Sequence, residues 1–346
     1  MTQHAICATI PDAAIDTAEK NVRDILTLAI EYLPTQSAIV VWDAQCDLAI
    51  ALTEAYRRCL PGALFIDFNS TAPEAVCAAF DRLVPGDLVV LIQSTSFRLN
   101  AYRIRVELFK KSLKVIEHPH LSRMPGAESV LYIESLAYDP AYFREVGNAL
   151  KTRLDSAQLG IIDSDGEQLV FAAGFESAKL NIGDYSNMLN VGGQFPIGEV
   201  FTESRDLEAV NGRVRIFVFG DTSFMVNRPD KPITLVVHKG RVTDAIDSTP
   251  EFDRVLANIR ADEGEVWLRE LGFGMNRAFT RDRIVDDIGT YERMCGIHLS
   301  LGAKHGIYSK PLIKRKDAKY HVDVFAITEA VMLDDDVVYR NGEWVV

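Results

Sequence analysis

Short apolar runs alternate with helical patterns along the first 155 residues of the chain. Four of these runs are rich in β-branched residues and have the length of strands. They lie at residues 37–43, 63–68, 87–92 and 113–118. The stretches between them carry apolar residues at helical spacing, and Pro73 lies just inside the start of one helix. This alternation predicts parallel strands with right-handed crossovers, and therefore an open parallel α/β domain at residues 1–155.

The pattern changes after a helix-like stretch at residues 142–157. From there, strand-like segments follow one another across turns of Gly and Asp, and a helical stretch at residues 249–271 interrupts them. Three turn pairs are typical of β-hairpins. They are Asp165-Gly166, Lys239-Gly240 and Asn341-Gly342. The predicted fold class is thus α/β, in which a mainly antiparallel α+β domain at residues 156–346 follows the parallel domain.

The turn after the first strand bears on nucleotide binding by the parallel domain. It reads DAQCD at residues 43–47, without the GxGxxG pattern that dinucleotide-binding domains carry there. We therefore interpret this domain as structural or substrate-covering. His118 and His120, at the end of the fourth strand, have a spacing that permits metal binding, but polar histidines in a surface turn are the simpler interpretation.

Composition narrows the classes of partner. The 346 residues include 37 Lys and Arg against 49 Asp and Glu, which gives a net charge of −12. Nucleic-acid binding is not expected, because affinity for nucleic acids depends largely on Lys and Arg that neutralise phosphates. The expected ligands are small molecules or peptides.

The N-terminus and the cysteines are typical of a cytoplasmic protein. Acidic residues and Pro11 stand where a signal peptide needs a basic start and an unbroken apolar core. No run of 18 apolar residues occurs, so no contact with a membrane is expected. The cysteines are widely spaced, form no CxxC pair and are expected to be reduced thiols. They are Cys7, Cys46, Cys59, Cys77 and Cys295.

Three of the seven histidines, His298, His305 and His321, cluster towards the C-terminus. His298 and His305 have a spacing that two turns of a helix would bring to one face. His321 forms an H-x-D pair with Asp323, and strand alternation points both side chains to the same side. Imidazole and carboxylate groups in this arrangement are suitable ligands for Zn, Co, Mn or Fe.

Two glutamates upstream stand in apolar settings, where a carboxylate needs a partner. Glu199 follows a glycine and precedes apolar residues, and Glu270 precedes LGFG, in which Gly272 and Gly274 permit close backbone approach. A single histidine beside an apolar strand is more often a core residue than a ligand, and an H-x-D pair often arises by chance. The joint pattern of these residues is what favours a metal site.

The ordered set of motifs resembles the metallo-aminopeptidase family of aminopeptidase S and aminopeptidase T. The motifs are GEVFTE (198–203), VNGRVR (210–215), ELGFGMN (270–276), GIHLSLG (296–302) and the final H-x-D. The similarity covers residues 185–346. The N-terminal domain matches the family only in its alternation of strands and helices, and it is short for the family. The resemblance implies a homodimer with two divalent ions, Zn, Co or Mn. It implies five metal ligands, which are Glu199, Glu270, His298, His321 and Asp323.

One position departs from the family. His305 stands where the family has a tyrosine near the metals, and an imidazole either binds a metal or transfers protons near neutral pH. His305 is therefore a sixth candidate ligand and, with Glu199 and Glu270, a candidate catalytic residue. The leading hypothesis is a hydrolase that cleaves an N-terminal residue or a related small amide with metal-activated water.

Two alternative functions stay open. The resemblance extends to the fold of 2,5-dihydroxypyridine 5,6-dioxygenase, which keeps the H-x-D pair but has His where this chain has Glu270. A ring-cleaving dioxygenase with a single Fe(II) is therefore the second hypothesis. The third hypothesis is a metal-free binding protein that has kept the fold.

Overall fold

The computed structural model describes residues 10–99 and 103–346. They divide into two compact units. The first unit runs to Pro140 and adds Gly183–Ile197, and the second comprises Ala141–Ile182 and Gly198–Val346. This division differs from the boundary predicted after residue 155.

The first unit is built on a parallel sheet with helices between its strands; element labels run along the whole chain. Its strands are β1 (Ala38–Trp42), β2 (Leu64–Asp67), β3 (Leu88–Ile92), β4 (Lys114–His118) and β8 (Gly192–Gln194). Its helices are α1 (Asp12–Asp24) with a π-helical continuation (Ile25–Ala29), α2 (Asp47–Cys59), α3 (Pro73–Phe80), α4 (Ile104–Lys110) and α5 (Ala127–Ser135), and a 3₁₀ turn lies at Leu121–Arg123. The strand order is β2-β1-β3-β4-β8, and all pairs are parallel.

The predicted strands of the first unit coincide closely with β1 to β4. Each is rich in apolar side chains, which are mostly buried in β1, β3 and β4, whereas only Ile66 is buried in β2. In β3 all five residues are buried, as expected for a parallel strand covered on both faces. The strand β8 has no sequence signal, since Gly192, Gly193 and Gln194 carry no apolar side chain. A Cβ at Gly192 would lie 2.0 Å from the carbonyl oxygen of Val115, so glycine allows this close pairing.

The second unit is built on an antiparallel sheet. Its strands are β5 (Gly160–Ser164), β6 (Glu167–Phe171), β7 (Lys179–Asn181), β9 (Glu199–Glu203), β10 (Val210–Gly220), β11 (Val226–Asn227), β12 (Ile233–His238), β13 (Arg241–Ile246), β14 (Leu268–Gly274), β15 (Gly296–Leu301), β16 (Val322–Ala326), β17 (Ala330–Leu333), β18 (Asp336–Arg340) and β19 (Glu343–Trp344). Its helices are α6 (Pro140–Ser156), α7 (Pro250–Glu263) and α8 (Ile288–Tyr291), with a 3₁₀ turn at Leu207–Ala209.

The main strand order of this sheet is β19-β18-β17-β5-β6-β10-β16-β15-β14-β9-β7. The strands β11 and β12 also pair with β10, and β13 pairs with β12. A parallel α/β layer and a mainly antiparallel α+β unit are both present, so the predicted fold class is confirmed.

Packing of α6 explains why the boundary between the units precedes this helix. Gly147 lies against Ile182, so closely that a Cβ at Gly147 would lie 2.6 Å from the isoleucine side chain. Phe143 likewise covers Gly198. The helical pattern of residues 142–157 is correct, but the tertiary partners of the helix belong to the second unit.

The three predicted hairpin turns are confirmed. They join β5 to β6, β12 to β13 and β18 to β19. Both residues of Asp165-Gly166, Lys239-Gly240 and Asn341-Gly342 have positive φ, as type I′ turns require.

The helix predicted at residues 249–271 is wrong in its second half. The helix α7 begins after Thr249, whose side chain accepts a hydrogen bond from the backbone N–H of Phe252, and it is followed by Gly264 with a φ of 83°. Residues beyond it enter β14, which pairs with strands on both sides. Pairing in the sheet therefore prevails over the local helical pattern.

Two further expectations concern membrane-spanning helices and the cysteines. Among the described residues, no helix combines the length and the apolar character that crossing a membrane requires. Cys46, Cys59, Cys77 and Cys295 are free thiols, and Cys7 lies outside the described residues.

His118 is buried, so the interpretation of both histidines as polar residues in a surface turn is wrong for this one. Its Nε2 lies 2.8 Å from the Tyr56 hydroxyl and its Nδ1 lies 2.9 Å from the Tyr132 hydroxyl. Tyr132 donates its own proton to the carbonyl of Phe195, so its oxygen accepts from Nδ1–H. Both ring nitrogens of His118 are occupied, and neither is left for a metal.

This buried imidazole predicts a dependence of stability on pH. Burial lowers the pKa of His118 from 6.5 to about 3. Below pH 6.5 the unfolded chain binds a proton that the folded chain does not, so stability falls as the pH decreases towards 3. We expect a loss of about 2 kcal/mol at pH 5 relative to pH 8 from this residue.

Urea unfolding of the wild type and of His118→Gln at both pH values measures this contribution. The variant is expected to be less stable at pH 8, because it leaves a tyrosine hydroxyl without its partner, and to lose less stability on acidification. Equal losses in the two proteins would contradict the assignment of the effect to His118.

Candidate metal centre

Four neighbouring strands of the second unit carry candidate ligands on one face. Glu199, Glu270, His298 and Asp323 lie on β9, β14, β15 and β16, which are adjacent in this order. The register pairs His298 directly with Gly272. Since alternate residues of a strand share a face, Glu270 lies on the face to which His298 points. The antiparallel register thus brings together side chains that are far apart in the sequence.

Gly272 leaves room for the imidazole of His298. A Cβ at Gly272 would lie 1.9 Å from Cε1 and 2.1 Å from Nε2 of that ring. The ring therefore lies flat over the glycine, between Glu199 and Glu270. The expectation that this glycine permits a close approach is confirmed, although it is a side chain that approaches.

The first group of candidate ligands comprises Glu199, Glu270 and His298, whose ligand atoms all lie within 4.8 Å of one another. The Nε2 of His298 is 3.3 Å from a carboxylate oxygen of Glu199 and 3.6 Å from one of Glu270. All three residues are buried. The group offers two carboxylates and one imidazole.

The second group comprises Glu292, His321 and Asp323, again with ligand atoms within 4.8 Å. The Nε2 of His321 is 3.0 Å from Asp323, as the H-x-D pattern predicts. Glu292, at the end of α8, belongs to no motif and was missed by sequence reasoning. Its one signal is the charged pair Glu292-Arg293 inside an otherwise uncharged stretch.

His305 lies in the loop after β15, so the helical spacing inferred for His298 and His305 is wrong. Its Nε2 is 2.8 Å from Glu270. Its Nδ1 accepts hydrogen bonds from the backbone N–H groups of Ile307 and Tyr308, at 3.1 and 3.3 Å. An acceptor Nδ1 places the proton of a neutral ring on Nε2, which favours a proton donor facing Glu270 over a metal ligand.

Arg293 supplies positive charge beside the carboxylates. Its guanidinium lies 3.4 Å from Glu199 and also contacts Glu292. The two groups together hold four carboxylates, so Arg293 leaves a formal charge of −3 when the imidazoles are neutral. Buried charge of this size is costly without further cations.

The perturbed pKa values show how protons compensate the carboxylates. Burial raises the pKa of Glu292 to about 8, and repulsion by Asp323 adds to the rise. For His321, burial lowers the pKa, but Asp323 outweighs this and raises it to about 10. For Glu270, burial raises the pKa, but the facing imidazoles hold it below its usual range. Charge of either sign is stabilised here only by a neighbour of the opposite sign.

The donor atoms fit a cation better than they fit one another. Both ring nitrogens of His298, Nε2 of His305 and one oxygen of Asp323 are buried without an aligned hydrogen bond among the described residues. Several of them nevertheless lie 2.8–3.6 Å from a neighbouring donor or acceptor. These oxygen and nitrogen atoms therefore lie close together without forming well-aligned hydrogen bonds. Carboxylate oxygens and imidazole nitrogens in such an arrangement are suitable ligands for a divalent metal.

The structure thus brings all six residues chosen from the sequence into one region of the second unit. Five of them divide between the two groups, and His305 lies between these, with its ring centroid 6.2 Å from that of His321. The predicted roles of these residues in binding metal and in catalysis stay predictions.

Comparison with known proteins supports the fold. No protein-family model and no curated protein matches the sequence. Among solved structures, wild-type AmpT from Thermus thermophilus is similar, with a TM-score of 0.58 and 14% sequence identity over 96% of this chain and 99% of that chain. At this identity the likeness shows a shared fold alone. The likeness in fold covers nearly the whole chain, whereas the motifs lie within residues 185–346.

The packing of His298 on Gly272 generates a prediction. Gly272→Ala would displace the imidazole, and we expect metal affinity to fall on the order of 10–100-fold while the sheet stays folded. Titration of metal into the chelator-treated protein measures the affinity, and circular dichroism checks the fold.

Gly62→Ala is the matched control, because a Cβ there meets no atom within 4 Å. It should bind metal as the wild type does. Unchanged affinity in Gly272→Ala would show that His298 has no part in binding the metal.

Proposed function

We propose that this protein is a metal-dependent hydrolase of the aminopeptidase type, which cleaves an N-terminal residue or a related small amide with two divalent ions. The observation that carries the proposal is the pair of donor groups, each with two carboxylates and one imidazole. The first group is buried, and the second places the half-buried Glu292 and His321 beside the buried Asp323. The likeness to AmpT is consistent with it at the level of the fold.

The residues that would hold the ions are those of the two groups. Glu199, Glu270 and His298 would form one set, and Glu292, His321 and Asp323 the other. Zn, Co and Mn all accept such mixed oxygen and nitrogen ligands. When bound, the ions would lower the pKa of a coordinated water and polarise the scissile carbonyl.

Side chains of this chain would move the proton that hydrolysis releases. Glu199 or Glu270, where a carboxylate oxygen is free of metal, accepts the proton of the attacking water and delivers it to the leaving amine. His305, with its proton on Nε2, donates to charge that develops beside Glu270. The backbone N–H groups on its Nδ1 hold the ring in that orientation.

The donor chemistry argues against the iron dioxygenase. The mononuclear Fe(II) oxygenases use two histidines and one carboxylate, leaving open positions for oxygen and substrate. Each group here offers one histidine and two carboxylates. The ring proton placed on Nε2 of His305 also disfavours it as the missing second imidazole.

The first prediction from this proposal concerns metal content. Elemental analysis of protein purified without chelator should give about two equivalents of Zn, Co or Mn per chain, together with hydrolysis of aminoacyl amides. Glu270→Gln should lose metal and activity, because Glu270 contacts imidazoles on both sides.

His238→Ala serves as the control, since His238 is an exposed histidine of the same unit, outside both groups. It should keep its metal and activity. One iron per chain with oxygen consumption would establish the dioxygenase instead. If the purified protein holds no metal and Glu270→Gln binds ligands as the wild type does, the protein is a metal-free binding protein.

The second prediction separates the two roles of His305. We expect His305→Phe to lower kcat by about 10²–10⁴-fold while the metal content stays that of the wild type. Paired elemental analysis and steady-state kinetics measure both quantities. A loss of one ion per chain in this variant would show that His305 is a ligand.

Two further inferences remain proposals, the first from the family resemblance and the second from the N-terminus and the cysteines. We expect a homodimer, which light scattering of the full chain would test. A cytoplasmic location agrees with the four free thiols but rests on the sequence.

A further inference from the structure

A polar cavity of about 310 Å³ lies in the first unit, outside the carboxyl ends of β3, β4 and β8. Open α/β sheets bind their ligands at this end of the strands. The volume is at the small end of the range for ligand sites and fits a small metabolite. Nothing in the proposed hydrolysis uses this cavity.

The neighbouring crevice is closed by protein groups. Strand order reverses between β1 and β3, where such sheets most often bind ligands. There Asp43 accepts hydrogen bonds from the backbone N–H of Ser94, at 3.0 Å, and from its hydroxyl. The space for a ligand therefore lies one strand further along the sheet.

The cavity is positively charged, although the whole chain carries −12. Arg98, Arg103 and Arg105 line it, together with one carboxylate, Glu117. Arg105 pairs with Glu117 at 2.6 Å. Arg98 and Arg103 form no ion pair with any residue that the structure describes, so two guanidinium groups stay uncompensated.

Uncharged polar groups are fixed around these arginines. Gln93 is buried, and its amide oxygen accepts a hydrogen bond from the backbone N–H of Phe97 at 2.8 Å. Its amide nitrogen donates to Glu117 at 3.2 Å. Ser96, His120 and Gln194 complete the polar lining. Hydrogen bonds thus hold Gln93, in the floor of the cavity, in a fixed orientation, and the exposed Arg98 and Arg103 lie at its surface.

We propose that this cavity binds a small molecule through an oxyanion group, a phosphate or a carboxylate, which Arg98 and Arg103 hold. Guanidinium groups match the geometry of both oxyanions with paired hydrogen bonds. An anion also relieves the repulsion between two unpaired cations that line one cavity. The residues that line this cavity belong to the first unit, whereas the candidate metal ligands belong to the second.

Isothermal titration calorimetry of the full chain, as purified, tests the site. The probes are ribose 5-phosphate, inorganic phosphate and succinate, with ribose as the neutral reference. We expect saturable binding of at least one anion and none of ribose. A preference for ribose 5-phosphate assigns the oxyanion as a phosphate, and a preference for succinate assigns it as a carboxylate.

Variants identify the residues that hold the anion. The double variant Arg98→Gln/Arg103→Gln should weaken binding by about tenfold or more. Arg98→Lys/Arg103→Lys keeps the positive charge but loses the paired N–H donors of the guanidinium groups. Its affinity for the anion should therefore lie between those of the wild type and the glutamine variant. Any anion binding at the metal centre is the same in all these proteins and cancels in the comparison.

Arg82→Gln is the matched control, because Arg82 is an exposed arginine of the same unit outside this cavity. It should bind the anion as the wild type does. Equal weakening in the control, or the absence of saturable binding by all three anions, would overturn the proposal. Thermal unfolding confirms that each variant is folded, as expected for changes at exposed side chains.

Discussion

Four carboxylates lie in two groups of candidate ligands beside the antiparallel sheet, with Arg293 in contact with both groups, and the need to compensate their charge constrains this part of the second unit. An uncompensated buried carboxylate costs several kcal/mol. Arg293 and three imidazoles surround the carboxylates. Because Gly272 has no side chain, the imidazole of His298 can lie between Glu199 and Glu270. An arrangement that is costly for folding alone is reasonable for a protein that binds cations.

The first unit stabilises its buried polar groups in another way. His118 is kept neutral between two tyrosine hydroxyls, with each ring nitrogen occupied. Asp43 is buried and held by the backbone and hydroxyl of Ser94. Local hydrogen bonds satisfy these groups, so they need no ion. The contrast separates these hydrogen-bonded groups from the candidate metal ligands, several of whose buried atoms have no aligned hydrogen bond among the described residues.

His305 illustrates how backbone contacts orient an imidazole. From the sequence, an imidazole at this position is equally suited to metal binding and to proton transfer. Two backbone N–H groups at its Nδ1 remove that symmetry and direct the ring proton towards Glu270. The likeness of the fold to AmpT, at 14% identity, leaves such details to the residues of this chain.

Local signals along the chain determined the strands β1 to β4 and the hairpin turns, and they also indicated six candidate metal ligands. Periodicity and turn chemistry act between near neighbours, so they can be read from the sequence. Tertiary structure decided the strand β14, where sheet pairing prevailed over a helical pattern, and the strand β8, whose glycines carry no apolar signal. It also added Glu292 and divided the candidate ligands into two groups. That grouping depends on the register of four strands and on a loop, and non-local pairing sets the register.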